Sequence, residues 1–218
     1  MTKTTGVGRP RASGAAASKR EARLAVLDAA GELFTGAGYA ATTTRAIAER
    51  SGLRQASLYY HFPSKEDILA ALLQDTVRPS LEVAGGLSAG QAPVGVRLWA
   101  LAYADTHLLG SARHNIGALY LLPEIASPNL AQFRAERAEL KRVYGALVAA
   151  AGVPPELLAI RTDLVFGLVE SIAIARRDNP ALDVEAHAVE GADCVLRISG
   201  LGEPDEALRT SARALLES

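Results

Sequence analysis

Apolar residues recur every three or four positions along most of this 218-residue chain, which is the period of an α-helix. Between residues 18 and 36, for example, Leu27, Ala30 and Phe34 share one side of a predicted helix. Beyond Gly85 the same period continues, and no strand-like alternation of apolar and polar residues occurs. The pattern predicts an all-α protein.

Six further helices are predicted in the second part of the chain, where glycine or proline residues separate them. Their expected positions are about residues 91–110, 112–122, 128–151, 155–177, 182–199 and 204–217. Before them, Ser64 and Asp67 have the spacing of a helix start, and the helix that they begin carries apolar Leu69, Leu72, Leu73 and Val77. About nine or ten helices are expected in all.

Residues 42–65 have the pattern of a helix-turn-helix. Thr43 and Thr44 can cap a first short helix, and Gly52 supplies the backbone freedom that a sharp turn requires. A second short helix is predicted over residues 54–60, with polar side chains at its leading end. A helix of this kind can enter the major groove of DNA.

The charge distribution agrees with that interpretation. The net charge is −1, but residues 1–65 hold ten Lys and Arg against four Asp and Glu, whereas the remainder holds thirteen against twenty. Only the basic end is expected to meet a polyanion. Residues 1–17 are expected to form a flexible basic arm, in which the segment 8–11 either lies in an A·T-rich minor groove or is a solvated tail.

The block Leu-Tyr-Tyr-His-Phe-Pro-Ser-Lys-Glu at residues 58–66 makes the motif specific, and residues 20–80 resemble the tetracycline-repressor-like (TetR) family of bacterial transcriptional regulators. The matching residues are Thr43, Thr44, Ile47, Ala48, Gly52, Leu53, Leu58, Tyr59, Tyr60, His61, Phe62, Lys65, Glu66, Ile68 and Leu69. The resemblance implies an N-terminal three-helix DNA-binding domain, expected at 18–80, and a larger helical domain for ligand binding and dimerisation, expected at 81–218.

Two groups of side chains are candidates for contacts with DNA. Arg45 and Gln55 are the base-reading candidates, because Arg forks onto guanine and Gln onto adenine, and Arg54 could serve either purpose. The resemblance implies that Arg45, Arg54, Gln55 and Ser57 face the major groove. The candidates for phosphate contacts are Thr43, Thr44, Tyr59, Tyr60, His61 and Lys65.

Three of these phosphate candidates have structural alternatives. Tyr59 could instead pack between helices with Leu58 and Phe62. His61 could merely cap the short helix, and Lys65 could be a solvated surface charge.

A homodimer is expected, because one motif makes too few contacts to select a site in a genome. Two motifs would bind a pseudo-palindromic operator in double-stranded DNA. The candidate interface is the helix pair 155–177 and 182–199, where Gly167, Ala188 and Ala192 would permit close approach. The resemblance places a four-helix dimer bundle in this region, and the alternative is that both helices are buried inside one monomer.

The resemblance also implies a cavity for a small-molecule effector. The candidate lining residues are Trp99, Tyr103 and His107, which share one helix face, together with His114, Tyr120, Phe133, Tyr144, Phe166 and Glu170. Ordinary core packing is the alternative for each aromatic residue. Glu170 interrupts an apolar run, so it binds a ligand donor, pairs with an Arg across the dimer or points outward.

The expected function is therefore sequence-specific transcriptional regulation, with repression relieved by a small, largely apolar effector; activation with the same parts stays open. The alternatives are a helical DNA-binding or interaction protein that senses nothing, and a small-molecule enzyme. No catalytic residue, cofactor motif or metal motif is identified, and the single Cys194 allows no internal disulfide. The sequence has neither a signal-peptide core nor an apolar run that could cross a bilayer, so a cytoplasmic location is expected.

Overall fold

The computed structural model describes residues 12–88 and 90–217, with side chains from residue 18 onward. Ten α-helices occur in this part of the chain, and it contains no β-strand, which confirms the predicted all-α fold. The helices are α1 Ala12–Gly36, α2 Thr44–Arg50, α3 Gln55–His61, α4 Lys65–Ser88, α5 Val94–Ser111, α6 Ala131–Ala150, α7 Pro155–Glu170, α8 Ile172–Asp178, α9 Val184–Ile198 and α10 Glu206–Leu216. Three 3₁₀ segments, Ile116–Leu121, Pro123–Ala126 and Pro128–Leu130, follow α5.

The chain divides into two compact units, and the boundary falls between Ile68 and Leu69, inside α4. One continuous helix therefore contributes its first turn to the smaller unit and the remainder to the larger one.

The smaller unit has its own apolar core, built from α1, α2, α3 and the start of α4. The side chains that fill it, each at most 5% exposed, are Val26, Leu27, Ala30, Phe34, Ile47, Ala48, Leu58, Phe62 and Ile68. On the surface, the Arg50 guanidinium donates two hydrogen bonds to the Glu32 carboxylate and joins α2 to α1. Because α2 and α3 have only seven residues each, these tertiary contacts rather than helix propensity stabilise them.

Local sequence signals set the limits of these short helices. The Thr43 hydroxyl accepts a hydrogen bond of 3.1 Å from the Ala46 N–H, which confirms the predicted cap of α2. The Ser64 hydroxyl accepts one from the Asp67 N–H at 3.1 Å, as predicted for the start of α4. Gly52 has φ +72°, the left-handed conformation that the turn between α2 and α3 requires.

The larger unit is organised around α5. Five consecutive residues of this helix, Leu98 to Ala102, are completely buried. At its end, a Cβ atom on Gly110 would lie 2.6 Å from a methyl carbon of Val184, so α9 approaches the α5 backbone closely enough to require glycine. This unit contains the candidate effector pocket that is described below.

Three predicted boundaries were wrong. Residues 112–122 do not form an α-helix: only Ile116–Leu121 is helical, and it is a 3₁₀ segment. The predicted helix 155–177 is interrupted at Ser171, whose hydroxyl donates to the Leu168 carbonyl at 2.6 Å and competes with the helical bonds. Helix α1 begins at Ala12, inside the predicted arm, where three successive alanines favour helix; the basic segment 8–11 lies outside the described residues.

None of the helices in the described part of the chain combines the length and the apolar character needed to cross a membrane.

Candidate DNA-binding surface and effector pocket

The leading end of α3 is a polar, exposed surface. Gln55 and Ser57 are exposed, and so is Arg54, whose extended backbone (φ −73°, ψ 145°) precedes the helix. The opposite side of α3 is anchored by Leu58, which is completely buried. The predicted base-reading residues therefore project from a helix that its apolar side holds in place.

A small hydrogen-bond network joins this end of α3 to the start of α2. The hydroxyl groups of Tyr59 and Thr44 are 3.0 Å apart, and the side-chain amide of Gln55 donates to the Thr44 hydroxyl at 3.4 Å. Tyr59 remains 45% exposed, so it does not pack in the core beside Leu58 and Phe62. Its ring links the two helices at the surface instead.

Arg45 extends this surface along α2. Its Nε atom donates to Glu49 at 2.9 Å across one helical turn, and both side chains are largely exposed. Glu49 engages the Nε hydrogen, whereas the pair of donors that fits guanine can come from the two Nη atoms. The arrangement is compatible with base reading.

Tyr60 is the most exposed aromatic side chain of this unit, at 72%. Its ring packs edge-on against His61, with centroids 5.4 Å apart, and the Lys19 ammonium lies 4.9 Å from the ring centroid. A cation and a phenolic hydroxyl beside each other suit an anionic backbone.

The structure places Lys65 in a role that the sequence did not indicate. Its ammonium donates to the carbonyl groups of Tyr39 at 2.8 Å and Thr42 at 3.0 Å, and it lies 4.1 Å from the centroid of the Tyr39 ring. Two of its three N–H donors therefore hold the segment before α2, and one is left for a phosphate. Lys65 is not a solvated surface charge, as the alternative supposed.

The predicted effector-lining residues separate into two groups, and the first group packs along the contact between α5 and α9. Trp99, Tyr103 and His107 stack in sequence along one face of α5, with centroids 5.1 and 5.8 Å apart. Trp99 is completely buried, and its indole N–H donates to Asp193 of α9 at 2.7 Å. Tyr103 donates to Glu185 at 2.7 Å. These contacts attach α5 to α9: Trp99 packs in the core, and the partly buried Tyr103 makes its contact at the surface.

The second group forms one aromatic and ionic cluster. Tyr120 lies beside Phe133, with centroids 5.5 Å apart, and Tyr144 packs edge-on against Phe166 at 5.7 Å. The Arg137 guanidinium lies over the rings of both Tyr120 and Phe166. His114 is half-buried in the segment that follows α5 and does not line the pocket described next.

Glu170 pairs within its own chain. The Arg137 guanidinium forms a two-bonded salt bridge with the Glu170 carboxylate, through Nε at 2.6 Å and through Nη2. Burial lowers the pKa of Arg137, but its hydrogen bond to Glu170 and the negative charge of Glu170 raise the pKa above its ordinary value overall. The three sequence-based alternatives for Glu170 did not include this partner, and pairing with the other protomer is no longer needed to satisfy the carboxylate.

A pocket of about 190 Å³ opens beside this cluster. It lies between the first 3₁₀ segment and the junction of α7 with α8, and its walls are Gly117, Ala118, Tyr120, Leu121, Gly167, Glu170, Ser171, Ala173, Ile174 and Arg177. Of the nine predicted lining residues, only Tyr120 and Glu170 belong to this wall. The volume suits a molecule smaller than a typical drug-sized ligand.

Sequence reasoning missed Asp105, which lies at the buried side of the cluster. Its carboxylate accepts hydrogen bonds from Ser80 of α4 at 2.7 Å and from Tyr144 of α6 at 3.0 Å. Burial raises the pKa of Asp105 to about 6, although these two hydrogen bonds oppose the shift. The signal in the sequence was an acidic residue within the apolar run of α5.

An exposed apolar face runs along α7. Leu157, Ile160 and Leu164 are 38%, 58% and 55% exposed, and Gly167 lies one turn further on the same face. Within the predicted helix pair, Ala188 and Ala192 are buried inside the unit, and so are Val165 and Val169. One side of the helix pair is therefore core of the larger unit, and one side of α7 is exposed; the dimer interface stays a prediction.

Comparisons with known proteins agree with these features. Residues 26–72 match the family described as "Bacterial regulatory proteins, tetR family". The crystal structure of Mycobacterium smegmatis AmtR is similar over 89% of this chain and 94% of that chain, with 43% identity and a TM-score of 0.79. PfmR from Thermus thermophilus, a TetR-family regulator, has the same fold at 24% identity, with a TM-score of 0.68 over 79% of this chain and 97% of that chain.

Curated relatives match a short stretch of this chain. The transcriptional repressor KstR2 of Rhodococcus jostii is 44% identical over 52 residues, which are 24% of this chain and 26% of the relative. KstR2 of Mycolicibacterium smegmatis is 42% identical over 50 residues. The matched region therefore spans about a quarter of the length of these repressors.

Proposed function

Because the chain belongs to the TetR family of bacterial regulatory proteins, which are transcriptional regulators and not enzymes, we propose that it is a sequence-specific repressor that a small effector releases from its operator. In this proposal residues 18–80 bind DNA, and residues 81–218 dimerise and bind the effector. The exposed leading end of α3 is the observation that carries it.

The α2–α3 surface supports sequence reading. Gln55 has both an amide donor and a carbonyl acceptor for adenine, and the Thr44 hydroxyl already holds one amide hydrogen. A glutamine side chain loses rotamer freedom when it binds a base. Because the hydrogen bond to Thr44 already restricts the Gln55 side chain, less conformational entropy is lost on DNA binding. Arg45 adds a forked donor from the adjacent helix.

The exposed face of α7 supports a dimer. Three large apolar side chains, Leu157, Ile160 and Leu164, lie together there, and such a face would be costly to leave in water. TetR-family repressors act as dimers on DNA operators. We propose that α7 packs against α7 of a second copy, with α9 completing the interface.

The pocket beside Tyr120 supports effector binding. Its wall is mostly apolar and small, with polar groups from Glu170, Ser171 and Arg177. This composition suits a small, largely apolar molecule that carries one or two polar groups. The effector would release DNA if its affinity were higher for the protein conformation that cannot bind the operator than for the conformation that can.

The test is selection of binding sites from random duplex DNA with the purified protein, followed by affinity measurements at several salt concentrations. A conserved two-fold symmetric sequence should emerge, and its affinity should fall steeply with salt. Gln55→Ala should relax the preference at one base pair per half-site, because the amide reads one base.

Tyr60→Phe is the matched control for that variant. It removes an exposed hydroxyl from one of the candidates for phosphate contacts, and it should lower the affinity for all DNA sequences by a similar factor. A wild-type protein that selects no sequence would refute the proposed function. Equal effects of Gln55→Ala on selected and random DNA would remove Gln55 from the base-reading residues.

A further inference from the structure

Two local features weaken α4, the helix that both units share, between Leu73 and Ser80. Pro79 lies inside the helix and has no N–H, so it cannot donate the bond that would close the preceding turn. In the same turn, the Thr76 hydroxyl donates to the Leu73 carbonyl at 2.6 Å, a contact that bends helices. A change of helix direction would therefore cost least here.

The hydroxyl of Tyr120 is hydrogen-bonded to this turn of α4. The Tyr120 hydroxyl lies 2.5 Å from Thr76 Oγ1. Because the one hydrogen of the Thr76 hydroxyl is directed at the Leu73 carbonyl, Tyr120 must be the donor. The result is a chain of two hydrogen bonds from Tyr120 through Thr76 to the α4 backbone, and each bond strengthens the other.

Two further contacts fix the same stretch of α4. The completely buried Ser80 donates to Asp105 of α5 at 2.7 Å, and the exposed Arg78 pairs with Glu136 of α6 at 3.1 Å. Of the three contacts, only the one to Tyr120 comes from a 3₁₀ segment; the others come from long α-helices. A 3₁₀ segment has weaker internal hydrogen bonds than an α-helix and is displaced at lower cost.

Tyr120 also forms part of the pocket wall beside Glu170. The Tyr120 ring therefore borders the space that an effector would occupy, and its hydroxyl contacts the turn of α4 beside Pro79. We propose that Tyr120 is the positioning residue that transmits pocket occupancy to α4, through its hydrogen bond to Thr76 beside Pro79. This inference rests on the proposed function and names the contact through which release would occur.

An occupant that displaces the Tyr120 ring breaks the hydrogen bond to Thr76, and the Pro79 turn then loses this attachment to the first 3₁₀ segment. The turn at Pro79 belongs to the same helix whose first turn lies in the smaller unit, so a change at this turn alters the element that the two units share. The two arrangements of this turn supply the two-state element that coupling between sites requires.

The experiment uses the full-length protein and the DNA sequence selected by the wild type, so it does not depend on knowing the effector. Tyr120→Phe keeps the ring and the pocket wall but removes the hydroxyl, and Thr76→Val removes the other partner. Each should reduce operator affinity by about three- to ten-fold, which is the effect of one net hydrogen bond on an equilibrium. The double variant should lose no more than either single one, because both remove the same bond.

Two variants separate coupling from a general loss of stability. Thr76→Ser keeps the hydroxyl and should restore wild-type affinity. Trp99→Phe removes the buried hydrogen bond from Trp99 to Asp193, which lies in the same unit but does not involve α4. This variant should lower stability and leave operator affinity unchanged. Circular dichroism of each sample should establish that every variant is folded at the temperature of the binding measurement.

The outcomes are distinguishable. Unchanged affinity in Tyr120→Phe and Thr76→Val, additive losses in the double variant, or an equal loss in Trp99→Phe would each overturn the proposed role of Tyr120 and leave the proposed function intact. Failure of the wild type to select a sequence would refute the proposed function itself, and the role of Tyr120 with it.

Discussion

The buried Asp105 carboxyl should make the stability of this protein depend on pH, and Asp105→Asn should remove that dependence. Asp105 lies in the larger unit with Ser80 and Tyr144 as its hydrogen-bond donors. Burial is the main cause that raises its pKa from 3.8 to about 6, and the negative charge of Glu170 adds to it. Asparagine has nearly the same size and keeps an acceptor oxygen, but it cannot ionise.

The sign follows from proton uptake. Between about pH 4 and pH 6 the folded protein keeps a proton on Asp105 that the unfolded chain has lost, so the free energy of unfolding falls as pH rises through this range. Below it both states are protonated, and above it both are ionised. The contribution of Asp105 to the free energy of unfolding is about 3 kcal/mol larger well below this range than well above it, since one pKa unit corresponds to about 1.4 kcal/mol.

Urea unfolding followed by circular dichroism at pH 4.5, 5.5, 6.5 and 7.5 would measure this effect, with approximate two-state analysis of each curve. The quantity to compare is the wild-type free energy of unfolding minus that of Asp105→Asn, which cancels the other titrating groups. It should become less favourable to the wild type by about 2 kcal/mol as the pH rises from 4.5 to 7.5. Tyr144→Phe should move the transition to higher pH, because it removes a bond that lowers the pKa. A difference that stays constant with pH would refute the reasoning.

Three further predictions test other parts of the structure. Gly52→Ala should lower the free energy of unfolding by about 1–2 kcal/mol in urea titrations, because φ is +72° and an alanine is strained there; a neutral effect would argue against that turn. Glu170→Gln should lower the free energy of unfolding by about 1–2 kcal/mol, because it leaves the half-buried Arg137 charge without its partner. Adding Arg137→Met to the same chain should recover part of that stability. A double variant less stable than Glu170→Gln would contradict this. Leu164→Asp should shift the protein from dimer to monomer in analytical ultracentrifugation and weaken operator binding, and an unchanged sedimentation coefficient would exclude this face as the interface.

The helix-turn-helix could be predicted residue by residue because its signals are local. A capping threonine, a glycine with positive φ and a serine cap act within a few positions of the chain, and the structure has all three at Thr43, Gly52 and Ser64. The end of α7 shows the limit of this reasoning. The apolar period continues through Ser171, and only the observed hydroxyl contact to the Leu168 carbonyl reveals that the helix is interrupted there.

The candidate effector residues show a different limit. Periodicity predicts that Trp99, Tyr103 and His107 share one face of α5, and they do. It does not reveal which element covers that face, and here α9 covers it rather than a cavity. Lys65 is a similar case, because the carbonyl groups that it binds are more than twenty positions away in sequence.

Trp99 gives this molecule a built-in spectroscopic reporter of known location. It is the one tryptophan in the whole sequence, and it lies fully shielded from water, stacked on Tyr103 and hydrogen-bonded to Asp193. Fluorescence excited near the red edge of indole absorption therefore comes from the larger unit alone. A shift of its emission wavelength would register loss of the α5–α9 packing, and it would not report directly on unfolding of the smaller unit, which contains no tryptophan.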